Sequence, residues 1–253
     1  LTYSRACYEA ATGIITLFEG NQRLQMADGA DRSKMWVIPN GVDVERFSKV
    51  KRDTGPRPPT VALIGRVVPI KDVKTFIRAM RTVVNRLPDA QGWIAGPRDE
   101  DETYAAECDG LIQTLGLAGK VKLLGMQDIV QLLPKVGLVV LSSISEALPL
   151  SILEAQAAGV PTVCTDVGSC RELVYGSTPE DQEIGAAGRV VGIADAQGLG
   201  NAAVDLLTDA DAWQRAAAAG VSRVERFYAD RTMFDRYREL YAEALARPAA
   251  PAR

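Results

Sequence analysis

Two glutamates, Glu146 and Glu154, stand eight positions apart in SEALPLSILEAQAAGVPTVC, one on each side of Pro149. A carboxylate accepts hydrogen bonds from hydroxyls strongly because its charge reinforces the bond, so the pair suits a ligand rich in hydroxyls. Between them the chain reads as a helix start. Pro149 takes a first-turn place, ILEAQAAG (152–159) continues as the helix, and Gly159 closes it. The first turn of a helix holds N–H groups without internal partners and the positive end of the dipole, and so receives anions. By helical rise the two acids lie on the order of 10 Å apart. That is too far to share a proton, and it suits opposite ends of one extended ligand with a negative middle. The spacing alone is also compatible with a plainer reading, in which Glu146 complements the helix dipole and Glu154 is a solvated helix residue.

A second group of chemical residues lies in GRVVPIKD (65–72), again after an apolar run and before a helical one. Gly65 permits close backbone approach, and Arg66 and Lys71 put two cations on one loop that can neutralise a diphosphate without metal. Surface solvation is the plain reading of such a loop. Two motifs of this kind at strand ends of one sheet favour a nucleotide site, because open α/β sheets bind ligands at the carboxyl ends of their strands. The chain contains no histidine, which removes Ser-His-Asp and Cys-His nucleophiles and most zinc sites. Neither G-x-G-x-x-G nor G-x-x-x-x-G-K-[ST] occurs. The acidic GPRDEDE (96–102) lacks the spaced oxygen ligands of a calcium loop and reads as a helix start.

The elements that must position these residues are legible as alternating patterns. Strand-like runs are GIITLF (13–18), MWVIP (35–39), TVALIG (60–65), GWIAG (92–96), VKLLG (121–125), GLVVLSS (137–143), PTVCT (161–165) and a weaker RVVGI (189–193). Between them DVKTFIRAMRTVVNRL (72–87) repeats apolar residues at helical spacing. Nearly all-apolar strands separated by helices predict a doubly wound parallel α/β sheet. SKVKRDTGPRPP (48–59) reads as a linker or long loop, and from Ala196 onward only helical pattern appears. Residues 1–40 hold two strands and two helices, too few for a sheet of their own, and look like the end of a domain that begins elsewhere.

A formal net charge of −3 argues against a nucleic-acid partner. No apolar run approaches the roughly 20 residues of a membrane helix, and no basic-then-apolar leader opens the sequence. The four cysteines, Cys7, Cys108, Cys164 and Cys170, form no C-x-x-C pair and read as small buried hydrophobes in a reduced, cytoplasmic setting.

Together Gly65-Arg66 with Lys71, the E-x7-E pair Glu146 and Glu154, AQAAGVPTVCTDVGSCRELV (155–174), IPNGVDVERF (38–47) and FYADRTMFDRYRELYAEAL (227–245) resemble the retaining GT-B glycosyltransferases of family 4. The resemblance covers nearly the whole chain. It implies a Rossmann-like doubly wound sheet forming the C-terminal, donor-binding half of a GT-B fold. Residues 1–40 would be the acceptor-side remnant and interdomain segment, 41–228 the nucleotide-sugar domain, and 229–253 the crossover helix and tail. Arg66 and Lys71 would stabilise the pyrophosphate, Glu146 would hold the donor sugar and Glu154 the ribose. Backbone at Leu148, Leu150 and Ser151 would face sugar and phosphate, and Gly65 the loop's close approach. Gly125 and Met126 would meet the base. No metal or other cofactor is required. The fuller wording GRVVPIKDVKTFIRAM with GPRDEDETYAAEC is similar to the branch that builds the Pel exopolysaccharide. That implies a UDP-sugar donor, UDP-glucose first, a polysaccharide acceptor, and recruitment to a membrane-bound synthesis complex by partners. The family's acceptor site, glycine-rich loop and donor-side histidine belong upstream, so the expectation is a chain that binds nucleotide but transfers sugar poorly or not at all alone. A non-catalytic sugar-nucleotide module and a GT-B-like epimerase stand as alternatives.

Overall fold

The computed structural model describes residues 2–50 and 58–246. Residues 51–57 of the expected 48–59 linker and the tail 247–253 lie outside the described residues. The chain opens with α1 (Thr2–Ala10), β1 (Ile14–Thr16), α2 (Glu19–Ala27), β2 (Met35–Val37) and α3 (Val44–Ser48). Then come β3 (Thr60–Ile64), α4 (Val73–Arg86), β4 (Gln91–Ala95), α5 (Glu102–Thr114), β5 (Val121–Gly125), α6 (Ile129–Leu132), β6 (Leu138–Leu141) and α7 (Leu150–Ala157). The last elements are β7 (Thr162–Thr165), α8 (Cys170–Tyr175), α9 (Pro179–Gln182), β8 (Gly188–Val191), α10 (Ala196–Thr208), α11 (Ala210–Phe227) and α12 (Asp230–Ala246).

Six strands form one parallel sheet in the order β5-β4-β3-β6-β7-β8. Alternation along each strand divides its side chains between two cores. Val61, Leu63, Leu138, Val140 and Val163 join Phe76, Ile77 and Met80 of α4 and Leu199 and Val204 of α10 on one face. Ala62, Val139, Leu141 and Cys164 join Ile152 and Leu153 of α7 and Leu173 of α8 on the other. Helices therefore cover both faces, which is the doubly wound arrangement expected from the apolar strands. Helix α4 starts where Asp72 accepts the amide of Thr75 at 3.2 Å, with Asp72 itself left-handed at φ 42°.

Two expectations are corrected. The first strands do make a sheet of their own: β1 and β2 pair in parallel, with Ile14 opposite Met35, and Ile14, Ala30 and Met35 form a small separate core. The two three-residue strands are covered by the partly buried Tyr8 of α1 and Ala11, which pack against that core. Of the cysteines, Cys108, Cys164 and Cys170 are buried but Cys7, on α1, is exposed. No helix among the described residues is long and apolar enough to cross a membrane.

Candidate functional site

The strand order reverses between β3 and β6: from β3 the chain builds outward through β4 and β5, then crosses back to build β6, β7 and β8 on the other side. The crevice at the carboxyl ends of the two central strands is the natural ligand position of such a sheet. The loop after β3 carries Gly65, Arg66 and Lys71, and the loop after β6 runs from Ser142 through Glu146 to α7. Topology thus brings the two motifs of the sequence to one place.

The β3 loop is fastened to its neighbours. The amide of Gly65 donates to the carbonyl of Ala95 and that of Val67 to Pro97, both at 2.9 Å. Gly96 must be glycine for this approach, since a Cβ there would lie 2.0 Å from the carbonyl oxygen of Gly65. Val67 and Val68 are buried, so the loop turns its cations outward and Lys71 ends a short 3-10 turn, Pro69–Lys71.

The two loops are then tied together. The amide of Ile144 donates to the carbonyl of Ile70 at 3.0 Å, and the hydroxyl of Ser142 lies 2.9 Å from the carbonyls of both Lys71 and Asp72. Lys71 Nζ meets Glu146 Oε1 at 2.5 Å, and Ser143 Oγ donates to the same oxygen at 2.6 Å. Lys71 is 23% exposed and Glu146 12%, so the pair is shielded on most sides yet reachable from the crevice. Beneath it, Gly168 packs so closely that a Cβ would lie 2.3 Å from the carbonyl oxygen of Glu146, and the amide of Ser169 holds the carbonyl of Ala147 at 2.9 Å.

Arg66 is not beside Lys71's partner. Its Nη1 lies 2.5 Å from Oε1 of Glu100, a pair half exposed on both sides. Glu100 belongs to the acidic run before α5, whose start is capped by Asp101 accepting the amide of Tyr104. Pro149 proves to be the N-cap of α7, with φ −75° and ψ 119°, and the helix begins at Leu150. A proline has no side-chain acceptor, so the amides of Leu150 and Ser151 have no side-chain cap. Leu148 is buried, Leu150 exposed and Ser151 partly buried.

Glu154 sits partly buried on α7. Burial pushes its carboxyl above the ordinary value, and the nearby charge of Arg46 opposes that rise. No hydrogen bond to its carboxylate is formed among the described residues, which leaves its oxygens able to accept from a ligand. Gly125 ends β5 at φ +66°, and Met126 after it is 74% exposed. Two strands separate β5 from β6, so this loop lies roughly 14 Å along the sheet from the Glu146 loop at ordinary strand spacing. Among the described residues no cluster of His, Cys, Asp or Glu could hold a metal ion.

Sequence reasoning missed Ser142, Ser143, Glu100, Gly168 and Asn40, whose Nδ2 donates to the carbonyl of Leu148 at 3.1 Å. Only the serines left a signal, as paired hydroxyls ending the apolar run GLVVLSS. The others act through long-range contacts that no local pattern encodes.

The profile of the family described as Glycosyl transferases group 1 matches residues 58–209, which spans the six-stranded sheet and both loops of the candidate site. This chain belongs to that family. It is 31% identical over 232 residues to the phosphatidyl-myo-inositol mannosyltransferase of Mycolicibacterium smegmatis, covering 88% of this chain and 55% of the relative. It is 28% identical over 179 residues to the D-inositol 3-phosphate glycosyltransferase of Nocardia farcinica, covering 66% of this chain and 40% of the relative. The chain thus spans about half the length of the curated relatives it matches. Among solved structures, a glycosyltransferase from Rickettsia africae superposes with a TM-score of 0.83 at 19% identity, covering 98% of this chain and 68% of the other. Anabaena HepE in complex with UDP and glucose superposes at 0.80 and 22% identity, covering 96% and 67%. The fold is the Rossmann-like α/β sheet of GT-B glycosyltransferases.

Proposed function

We propose that this chain supplies the donor site of a retaining glycosyltransferase that takes a UDP-sugar, UDP-glucose first, and passes the sugar to a growing exopolysaccharide. The observation that carries the donor site is the convergence of Lys71, Glu146 and the uncapped start of α7 at the reversal point of the sheet. A donor laid along the crevice would put its diphosphate against Lys71, Arg66 and the amides of Leu148, Leu150 and Ser151, with Gly65 allowing close approach. Its sugar hydroxyls would reach Glu146, its ribose Glu154 and its base the backbone at Gly125 and Met126. As the glycosidic bond breaks, its electron pair goes to the diphosphate, where fixed cations and amides stabilise the growing charge; one such donor lost costs ~10²-fold or more in rate. The acceptor hydroxyl attacks from the leaving-group face and the leaving phosphate takes its proton, so this step requires no histidine base.

The uridine preference and the exopolysaccharide acceptor rest on the resemblance of GRVVPIKDVKTFIRAM to the Pel branch and on HepE, whose structure is known in complex with UDP-glucose. A guanosine donor is the second reading. It is favoured by the 29% identity, over 205 residues, to a GDP-mannose-dependent mannosyltransferase of Corynebacterium glutamicum. Within this reading 41–228 forms the nucleotide-sugar domain, flanked by 1–40 and 229–253. In this reading sugar transfer also needs an acceptor-binding half, and the setting is cytoplasmic, with partners drawing the enzyme to the inner membrane.

Calorimetric titration with UDP, UDP-glucose, GDP and GDP-mannose, repeated on Glu154→Gln and Lys71→Ala, tests the assignment. UDP binding that weakens in both variants is expected. Tighter binding of GDP would install the second reading, and no binding of any of them would refute the donor site. Robust transfer by this chain alone would refute the need for an acceptor half, and restored transfer on adding that half would exclude a non-catalytic module.

A further inference from the structure

The loop between β6 and α7 is held mostly from within the sheet: Thr165 Oγ1 donates to the carbonyl of Ser143 at 2.6 Å, and the amide of Ser169 donates to that of Ala147 at 2.9 Å. The next carbonyl, that of Leu148, is held from outside it. Asn40 Nδ2 reaches it at 3.1 Å across 108 positions of sequence. This carbonyl belongs to the peptide plane that joins Leu148 to Pro149, the N-cap of α7. Proline brings no N–H to that plane, so its orientation depends on the carbonyl's partner and on the buried side chain of Leu148. The plane in turn fixes how the chain enters α7, and with it the orientation of the uncapped amides of Leu150 and Ser151.

Asn40 is itself fixed on a strap with two anchored ends. On one side, the amide of Ile38 donates to the carbonyl of Thr16 at 2.9 Å, extending the β1–β2 sheet. On the other, the amide of Val42 donates to the carbonyl of Tyr228 at 2.9 Å, and that of Asp230 donates to Val42 at 3.0 Å. Between them Gly41 lies so close to the start of α12 that a Cβ would fall 2.4 Å from Cα of Asp230.

We propose that Asn40 is a positioning residue for the anion-binding start of α7, acting through the Leu148 carbonyl and carrying the placement of the β1–β2 unit and α12 to the donor phosphates. The inference rests on the donor-site reading for its ligand, but its structural half does not. The contact needs a donor at this reach, which the carboxamide NH2 of Asn40 supplies. Aspartate keeps the shape, removes the donor and sets a negative charge beside an anion site; alanine only removes the donor.

The test compares UDP with uridine on the parent, Asn40→Asp and Asn40→Ala, together with amide hydrogen exchange of the peptide 148–158 in the ligand-free chain. Asn40→Asp should bind UDP about ten-fold more weakly or worse, and Asn40→Ala several-fold, the scale of one hydrogen bond. Uridine, which lacks phosphate, should bind all three alike, and exchange in 148–158 should speed up in both variants while the peptide 60–64 stays unchanged. Equal losses for UDP and uridine would mean general loosening and overturn the proposal, as would unchanged UDP affinity or unchanged exchange. A parent that binds neither UDP nor GDP overturns the donor-site reading instead, and the exchange arm then decides alone whether Asn40 holds the helix start. Asn40→Ala keeps the test readable should Asn40→Asp fail to fold.

Discussion

Replacing Arg223 by methionine should remove a large part of the stability of the chain. Arg223 of α11 and Asp181 of α9 are 0% and 1% exposed. The guanidinium donates from Nε to Asp181 Oδ1 at 2.5 Å, from Nη1 to the carbonyl of Val174 at 3.0 Å, and from Nη2 to the carbonyls of Asp181 at 3.0 Å and Gly185 at 2.8 Å. Methionine keeps much of the apolar volume but leaves the Asp181 carboxylate buried without its counter-ion, accepting from the neutral amide of Ser177, and three carbonyls lose their arginine donor. Breaking a fully buried pair from one side costs about 3–5 kcal/mol, against a total of roughly 5–15 kcal/mol for a domain. With a urea slope near the upper end of the small-protein range, about 2.5 kcal/mol per molar, the midpoint should fall by about 1.2–2 M. Urea melts followed by circular dichroism measure it. Arg223→Met with Asp181→Leu removes both charges and should recover at least half of the loss, because two well-packed apolar residues can replace a buried pair. A shift under about 0.4 M in the single variant, near 1 kcal/mol on the same slope, would refute the reasoning.

Four further outcomes are expected. Lys71→Ala should weaken UDP about 10- to 100-fold by calorimetry, the worth of one charge-assisted hydrogen bond of about 1.5–3 kcal/mol. Glu100→Gln should leave stability nearly unchanged, since an ion pair half exposed on both sides contributes about 0–1 kcal/mol, yet tighten UDP by releasing Arg66; unchanged binding would place Arg66 away from the phosphates. Glu154 takes up its proton more readily in the folded chain than the ordinary value of 4.5 allows. The unfolded chain therefore ionises first, and this group's contribution to stability falls as pH rises through the window from that value to the raised one. Glu154→Gln should accordingly melt higher than the parent at pH 7, the difference vanishing near pH 3, while UDP binding weakens; equal melting at pH 7 would count against the burial argument. Gly168→Ala should lower the melting temperature by several degrees, since its φ of +53° and the 2.3 Å approach of a Cβ to the Glu146 carbonyl leave no room for a side chain; an unchanged melt would mean that the loop gives way.

All eight apolar runs read from the sequence form strands; the central β3, β6 and β7 are buried on both faces and so have little choice of composition. Their ends were less legible. GLVVLSS reads as strand to Ser143, but β6 stops at Leu141 because the Ser142 hydroxyl turns back to the carbonyls of Lys71 and Asp72. Strand order was invisible to periodicity, although it is what brings Lys71 and Glu146 together. The helix start at Pro149 was legible from local chemistry within one residue. Asn40, Glu100 and Gly168 were not, since each matters through a neighbour at least 21 positions away in sequence, their partners being Leu148, Arg66 and Glu146 or Ala147.

The ion pair between Lys71 and Glu146 spans 75 positions of sequence and joins a loop built on β3 to one built on β6. Each half of the sheet carries one charge of the pair, and a folding chain that has assembled β3, β4 and β5 alone owns the cation without its carboxylate or helix start. Closing so long a stretch of chain is entropically costly and comes late when non-local contacts must wait for their partners. Nucleotide would then have almost nothing to recognise in a half-formed sheet, and would raise the melting temperature by favouring the finished state alone. The pair works in that sense as an assembly check: the proposed donor site is completed only in the step in which the two halves of the sheet meet.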